Sequence, residues 1–168
     1  SAQRLHRWGG NSDKTSYVAG LGSVSCGLIE GGNLPIGSTI ALTYNLKRPA
    51  GEVHGVPADF YSEFDSPATI EAISEALSSA GHRVQLVEAN EGLPGWFLTH
   101  QVDLVFNIAE GTHGEHRESQ VPAVLELLGL PFTGSNSVTL ALALDKAKTK
   151  QVLAYEGVST PAWQLFPT

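Results

Sequence analysis

The 168-residue chain has a single cysteine, Cys26. One thiol excludes an internal disulfide framework and any cysteine-based zinc cluster, and it fits the reducing cytoplasm, the expected location. No apolar run approaches the roughly 20 residues that cross a bilayer. The opening segment carries Arg4, His6, Arg7 and Trp8 and lacks the apolar centre of a secretory signal. Basic charge is scarce, with 10 Lys and Arg against 17 Asp and Glu and a formal net charge of −7. Nucleic acid and anionic membranes recruit clustered Lys and Arg, so neither is an expected partner. Three familiar fingerprints are also missing: GxxxxGK[ST], a GxGxxG after the first strand, and the GxSxG nucleophile elbow. The chain opens on Ser1 and Ala2 without an initiator Met, and it is expected to be a segment cut or processed from something longer.

What is present suffices for one core. The chain is 42% hydrophobic and 16% charged, and its length suits one domain with at most an appendage. Residues 1–37 hold eight of the 18 glycines and show weak periodicity. They are expected to form an N-terminal extension, packed on the main domain or partly mobile, with Cys26 as a small packed side chain.

From Ser38 the pattern sharpens into strand and helix in alternation. STIALTYNL (38–46) alternates as a first strand, and a long loop then runs to Glu63, Phe64, Asp65 and Ser66. Asp65 or Ser66 is the expected N-cap of a helix with Pro67 at its first position. Ile70, Ile73 and Leu77 give that helix a core-facing stripe, and Gly81 stops it. HRVQLVE (82–88) reads as strand two. Residues 89–101 read mostly as loop, with a short helix through WFLTH. VDLVFNIA (102–109) is a nearly continuous apolar run, as expected of a central parallel strand buried on both faces. Ser119 is the expected cap of the next helix, with Pro122 in its first turn and Gly129 at its end. LPFT is expected as strand four, and TLALALDKAKTKQVLAYEG as one long helix stopped by Gly157. The fold class predicted is α/β, a Rossmann-like open parallel sheet flanked by helices. In such sheets ligands bind at the carboxyl ends of the strands.

The polar residues gather there. Glu110 ends strand three and precedes Gly111, so its carboxylate is expected at the sheet edge. It could accept from a substrate amine or orient the loop, or act as a cap or ion pair with Arg117. Arg117 and Glu118 are also read as a structural pair that holds the loop. Glu63 has no structural role visible in sequence, which favours a functional one, whereas Asp65 looks more like a helix cap than a catalytic acid. Glu63, Ser66, Glu110 and Arg117 are therefore the candidate substrate-binding residues, and no catalytic residue is assigned. His113 and His116 lie three apart without a third ligand, so surface exposure outweighs a metal site. Lys146 and Lys150 share a helix face that excludes Lys148. A lysine there could reach a phosphate as a mobile charge, although composition alone favours a solvated helix end.

FNIAEGTHGEHRESQVPAVLELLGLPFTGSNSVTLALALDKAKTKQVLAYEGVSTP resembles the N-terminal domain of the D-alanine–D-alanine ligase-like branch of the ATP-grasp enzymes. The resemblance covers about residues 39–167 and rests on the LELLGLPFTGS, LDKxxTK and GVSTPAW blocks in their order and spacing. It implies a Rossmann-like pre-ATP-grasp domain over residues 38–160. Residues 161–168 would begin the linker into an ATP-grasp domain beyond the chain. It also implies that Lys146 contacts ATP, and that an acid after strand one, best matched by Glu63, helps bind the first substrate's amine. The implied reaction is acyl-phosphate formation followed by attack of an amine. ATP and magnesium would act in the full-length protein, and this segment alone is expected to be inactive and to bind neither tightly. The implied partner is a small amino acid or peptide, and a homodimer is left open. The chain departs from D-alanine ligases where it has AEGTHGEHRES in place of their HGxxGEDG loop, which leaves the substrate unfixed. The rival expectation is a stand-alone binding module for an amino-acid-like ligand or a partner protein.

Overall fold

The computed structural model describes residues 34–48 and 62–166. Most of the N-terminal extension with Cys26, and residues 49–61 of the loop after strand one, lie outside the described residues.

The centre is a three-stranded parallel sheet. β1 (Thr39–Tyr44) lies between β2 (Arg83–Glu88) and β3 (Leu104–Asn107). Ile40, Ala41, Leu42 and Thr43 of β1 are at most 1% exposed. This overturns one expectation: the strand buried on both faces is β1, whereas β3 is shorter than VDLVFNIA and buries only Val105 fully. The reason lies beyond β3. LPFT does not form a fourth strand but touches β3 through one parallel bridge, Val105 with Phe132. Val105 N donates to Pro131 O and Thr133 N to Val105 O, each at 2.9 Å. Pro131 has no N–H with which to lengthen the ladder. Gly134, at φ 96°, then turns the chain away.

Residues paired across parallel strands share a face of the sheet. Ala41, Val87 and Val105 point to the face covered by α2 (Leu93–Thr99) and α3 (Gln120–Leu128). There they join Leu93, Phe97, Val121 and Leu125 in the main core. Burying a side chain such as Leu125 contributes roughly 1.5–3 kcal/mol. On the opposite face, α1 (Pro67–Ser79) packs along β2 and sinks Ile70 toward Tyr44 and Leu86.

Local signals explain the boundaries. Ser66 rather than Asp65 is the N-cap of α1, and its Oγ accepts from Thr69 N at 3.1 Å. α2 begins at Leu93, before the WFLTH segment expected as its whole extent. Asn90 Oδ1 takes the Gly92 N–H at 2.9 Å, and Pro94 fits a first turn that needs no N–H. α3 is entered through a 3-10 turn, Arg117–Ser119, so Ser119 stands at the expected N-cap position but its side chain makes no cap hydrogen bond. The Ser119 hydroxyl donates back to His116 O at 2.7 Å instead.

The expected single helix after LPFT is two helices, α4 (Ser137–Leu144) and α5 (Lys146–Tyr155). Asp145 divides them, with ψ 92° and its Oδ1 accepting from Lys148 N at 2.9 Å. A short acid that captures a backbone N–H starts a new helix and cannot continue the old one. α4 packs on the 3-10 turn and α3. Among the described residues no helix is long and apolar enough to cross a membrane.

Candidate functional site

The three strands end at one edge, and the chain folds three loops over it. Past β1 the backbone continues to Asn45 and Lys47, where the segment carrying Glu63–Ser66 returns alongside. Asp65 N donates to Asn45 O at 2.9 Å, and Lys47 N to Asp65 O at 2.8 Å. Past β2, Ala89 N donates to Tyr44 O at 2.8 Å and Arg48 pairs with Glu88 at 3.1 Å. Past β3, Ile108 N donates to Thr43 O at 3.0 Å, and the loop 108–116 begins.

The third loop is closed tightly on itself. Gly111 has φ 75°, and a Cβ there would run into the carbonyl of Arg117. Gln120 Nε2 donates to His113 O at 2.6 Å, which ties the loop to the first turn of α3. This closure aims Arg117 across the edge, where its guanidinium is ion-paired with the Glu63 carboxylate. Arg117 therefore pairs with neither of the two partners expected from the sequence, Glu110 and Glu118. Its partner is the residue that lacked a visible structural role.

Glu110 instead sits among acids. Burial, then the nearby Glu118 and Asp65 carboxylates, and a hydrogen bond with Glu118 raise its pKa. The Asp65 pKa is raised by burial. A half-buried carboxyl crowded by like charge is one that a neighbouring cation can relieve. The Glu63–Arg117 ion pair joins the segment before α1 to the loop after β3 at the same edge.

The structure thus brings Glu63, Glu110 and Arg117 to one edge, together with Asp65 and Glu118. Ser66 is close in sequence, but its hydroxyl is used by Thr69 at the start of α1. Lys146 is not joined to them by any hydrogen bond or ion pair among the described residues. Its Nζ donates to Ala143 O at 3.0 Å in the break between α4 and α5. Lys150, on the same helix, reaches Thr160 Oγ1 at 2.8 Å and Pro161 O at 3.1 Å. His113 Nδ1 lies 2.8 Å from Thr112 Oγ1, and no group of three or more His, Cys, Asp or Glu among the described residues could hold a metal ion. A cavity of about 210 Å³ opens beside the third loop, lined by Ala89, Leu93, Gly111, His113, Val121 and Val124 among others.

Two contributors were missed in sequence. Asn45 closes an apolar strand with a residue poorly suited to strands, a local mismatch that marks such positions. Gln120 was hidden in a helical run and has no comparable signal.

No protein-family model matches the chain. Curated relatives do. A D-alanine–D-alanine ligase from Aquifex aeolicus is 35% identical over 98 residues, covering 58% of this chain and 33% of that protein. One from Moorella thermoacetica is 39% identical over 95 residues, covering 55% of this chain and 30% of that protein. Over this stretch the chain is D-alanine–D-alanine ligase-like. It spans about a third of the length of these relatives. The fold agrees with the ligase-like sequence. A D-alanine–D-alanine ligase from Bacillus anthracis, solved in complex with ATP, superposes with a TM-score of 0.55 at 24% identity, covering 76% of this chain and 39% of that one. The enzyme from Aeromonas hydrophila gives a TM-score of 0.51 at 20% identity, with coverage of 76% and 50%.

Proposed function

We propose that this chain is the N-terminal, substrate-binding domain of an ATP-dependent carboxylate–amine ligase. Its sheet edge holds the amino end of an amino acid or short peptide. The observation that carries this is the meeting of Glu63, Glu110 and Arg117 at the carboxyl edge of a ligase-like sheet. Glu110 accepts from the substrate ammonium, which relieves its crowding by Glu118 and Asp65. The ion pair between Arg117 and Glu63 holds the loop that carries Glu110 against the segment before α1. Ser66 acts on the same site indirectly, by starting α1 where the Glu63 segment ends. The 1–37 extension, the domain over 38–160 and a linker from 161 onward remain the domain division within this proposal.

ATP supplies the phosphoryl group that activates the acceptor carboxylate. From this chain Lys146 is the fitting contact, an exposed amine that among the described residues is held by one carbonyl, Ala143 O, and that can swing toward a phosphate. The described residues do not offer a magnesium-binding cluster, so the metal's carboxylates are assigned to the rest of the protein. This chain's part in catalysis is positioning and charge neutralisation. The protein acts in the cytoplasm, singly or as a homodimer, and the isolated chain lacks turnover.

The test is incubation of the full-length protein with magnesium, ATP and a panel of D- and L-amino acids and dipeptides. Phosphate release and new amide products are followed together. Phosphate release that depends on an amino acid and matches amide formation supports the proposal. ATP turnover indifferent to every amine, or ligand binding without any turnover, overturns it in favour of a binding module.

A further inference from the structure

We propose that Asn45 is the positioning residue that sets the aim of the Glu110–Arg117 loop, by bonding all three loops at the carboxyl edge to the end of β1. Its backbone carbonyl accepts from Asp65 N at 2.9 Å, which fixes the segment bearing Glu63. Its side-chain Nδ2 donates to Ala89 O at 2.8 Å, which fixes the loop after β2. Its Oδ1 accepts from Gly111 N at 2.8 Å, which fixes the loop after β3. Asn45 is only 2% exposed, so water does not compete for these bonds.

The third bond matters most for aim. Gly111 adjoins Glu110 in sequence and packs under the carbonyl of Arg117. Anchoring the Gly111 N–H therefore fixes where Glu110 emerges and where the Arg117 backbone lies. Arg117 in turn reaches Glu63, whose segment is held by the same asparagine through Asp65. Glu63, Glu110 and Arg117 are thus referred to a single residue at the end of β1. A side chain with one donor and one acceptor is required, because Ala89 offers a carbonyl and Gly111 an N–H.

This inference rests on the proposed substrate site, but its test reads loop geometry without any ligand. Amide hydrogen exchange is measured on the 168-residue chain as wild type, Asn45→Ala and Asn45→Asp. The reference amide is Val105, whose N–H is bonded to Pro131 O in the core. Asn45→Ala is expected to speed exchange at Gly111 about tenfold more than at Val105. Asn45→Asp keeps the acceptor for Gly111 N but loses the donor to Ala89 O, so it lowers overall stability, while Gly111 exchange taken relative to Val105 is expected to stay within about threefold of wild type. Equal acceleration at Gly111 and Val105 in Asn45→Ala would mean a merely structural asparagine and overturn the proposal. So would loss of Gly111 protection in Asn45→Asp as large as in Asn45→Ala. If Asn45→Ala does not fold, Asn45→Asp decides alone on the same threefold and tenfold limits. If the loop loosens while the full-length protein keeps its amino-acid-dependent turnover, the positioning role stands and the substrate site is what fails.

Discussion

Arg117 is ion-paired with Glu63, although 54 positions separate them in sequence. The pair joins the loop after β3 to the segment that returns beside β1, and so closes the carboxyl edge on one side. Glu63 remains 61% exposed at its side chain. A pair this open contributes little to folding, about 0–1 kcal/mol. Arg117→Ala is therefore expected to lower unfolding free energy by less than about 1 kcal/mol in urea denaturation. A loss well above about 2 kcal/mol would show that Arg117 serves the core rather than the site.

Gly111 and Gly157 separate two costs of a left-handed backbone. Both have positive φ, 75° and 71°, but only Gly111 has backbone in the way of a Cβ. Gly157→Ala is expected to cost about 1 kcal/mol, from conformation alone. Gly111→Ala adds a collision with the Arg117 carbonyl and is expected to cost upwards of about 2 kcal/mol. Equal costs in chemical denaturation would mean that the loop gives way easily and does not hold Arg117 in place.

Glu110 predicts a pH dependence with a definite sign. Burial, Glu118 and Asp65 raise its folded pKa, so the folded chain binds this proton more tightly than the unfolded chain does. Stability then falls as pH rises from the ordinary carboxyl range through the folded value. Glu110→Gln cannot ionise and escapes that part of the fall. The slope that remains should come largely from Asp65, whose pKa is raised in the same direction. Thermal unfolding of the two proteins between about pH 4 and pH 7 checks this. Melting curves that shift in parallel would contradict it.

Much of the architecture was legible because it follows local pattern. The alternation in TIALTY, the Ser66–Pro67 start of α1 and the glycines at 81, 129 and 157 each act through their own neighbours. The errors arose where a distant partner decided. LPFT has strand composition, yet Pro131 and the turn at Gly134 limit it to one bridge. The apolar run of α4 hid the break at Asp145, which depends on one side chain turning back to Lys148 N. At the site, the sequence marked Glu63, Glu110 and Arg117 but could not pair them. Their arrangement depends on loops meeting at one edge, and Asn45, which ties those loops together, looked like the end of a strand.

The most direct test of the substrate-site proposal is steady-state kinetics of the full-length protein with the amino acid or peptide that supports its turnover, comparing wild type with Arg117→Ala and Glu110→Gln. If this edge holds the substrate's amino end, both variants raise KM for that substrate at least about tenfold, the loss of roughly one charge-assisted contact, while KM for ATP changes little. Unchanged substrate KM in both folded variants would contradict the account.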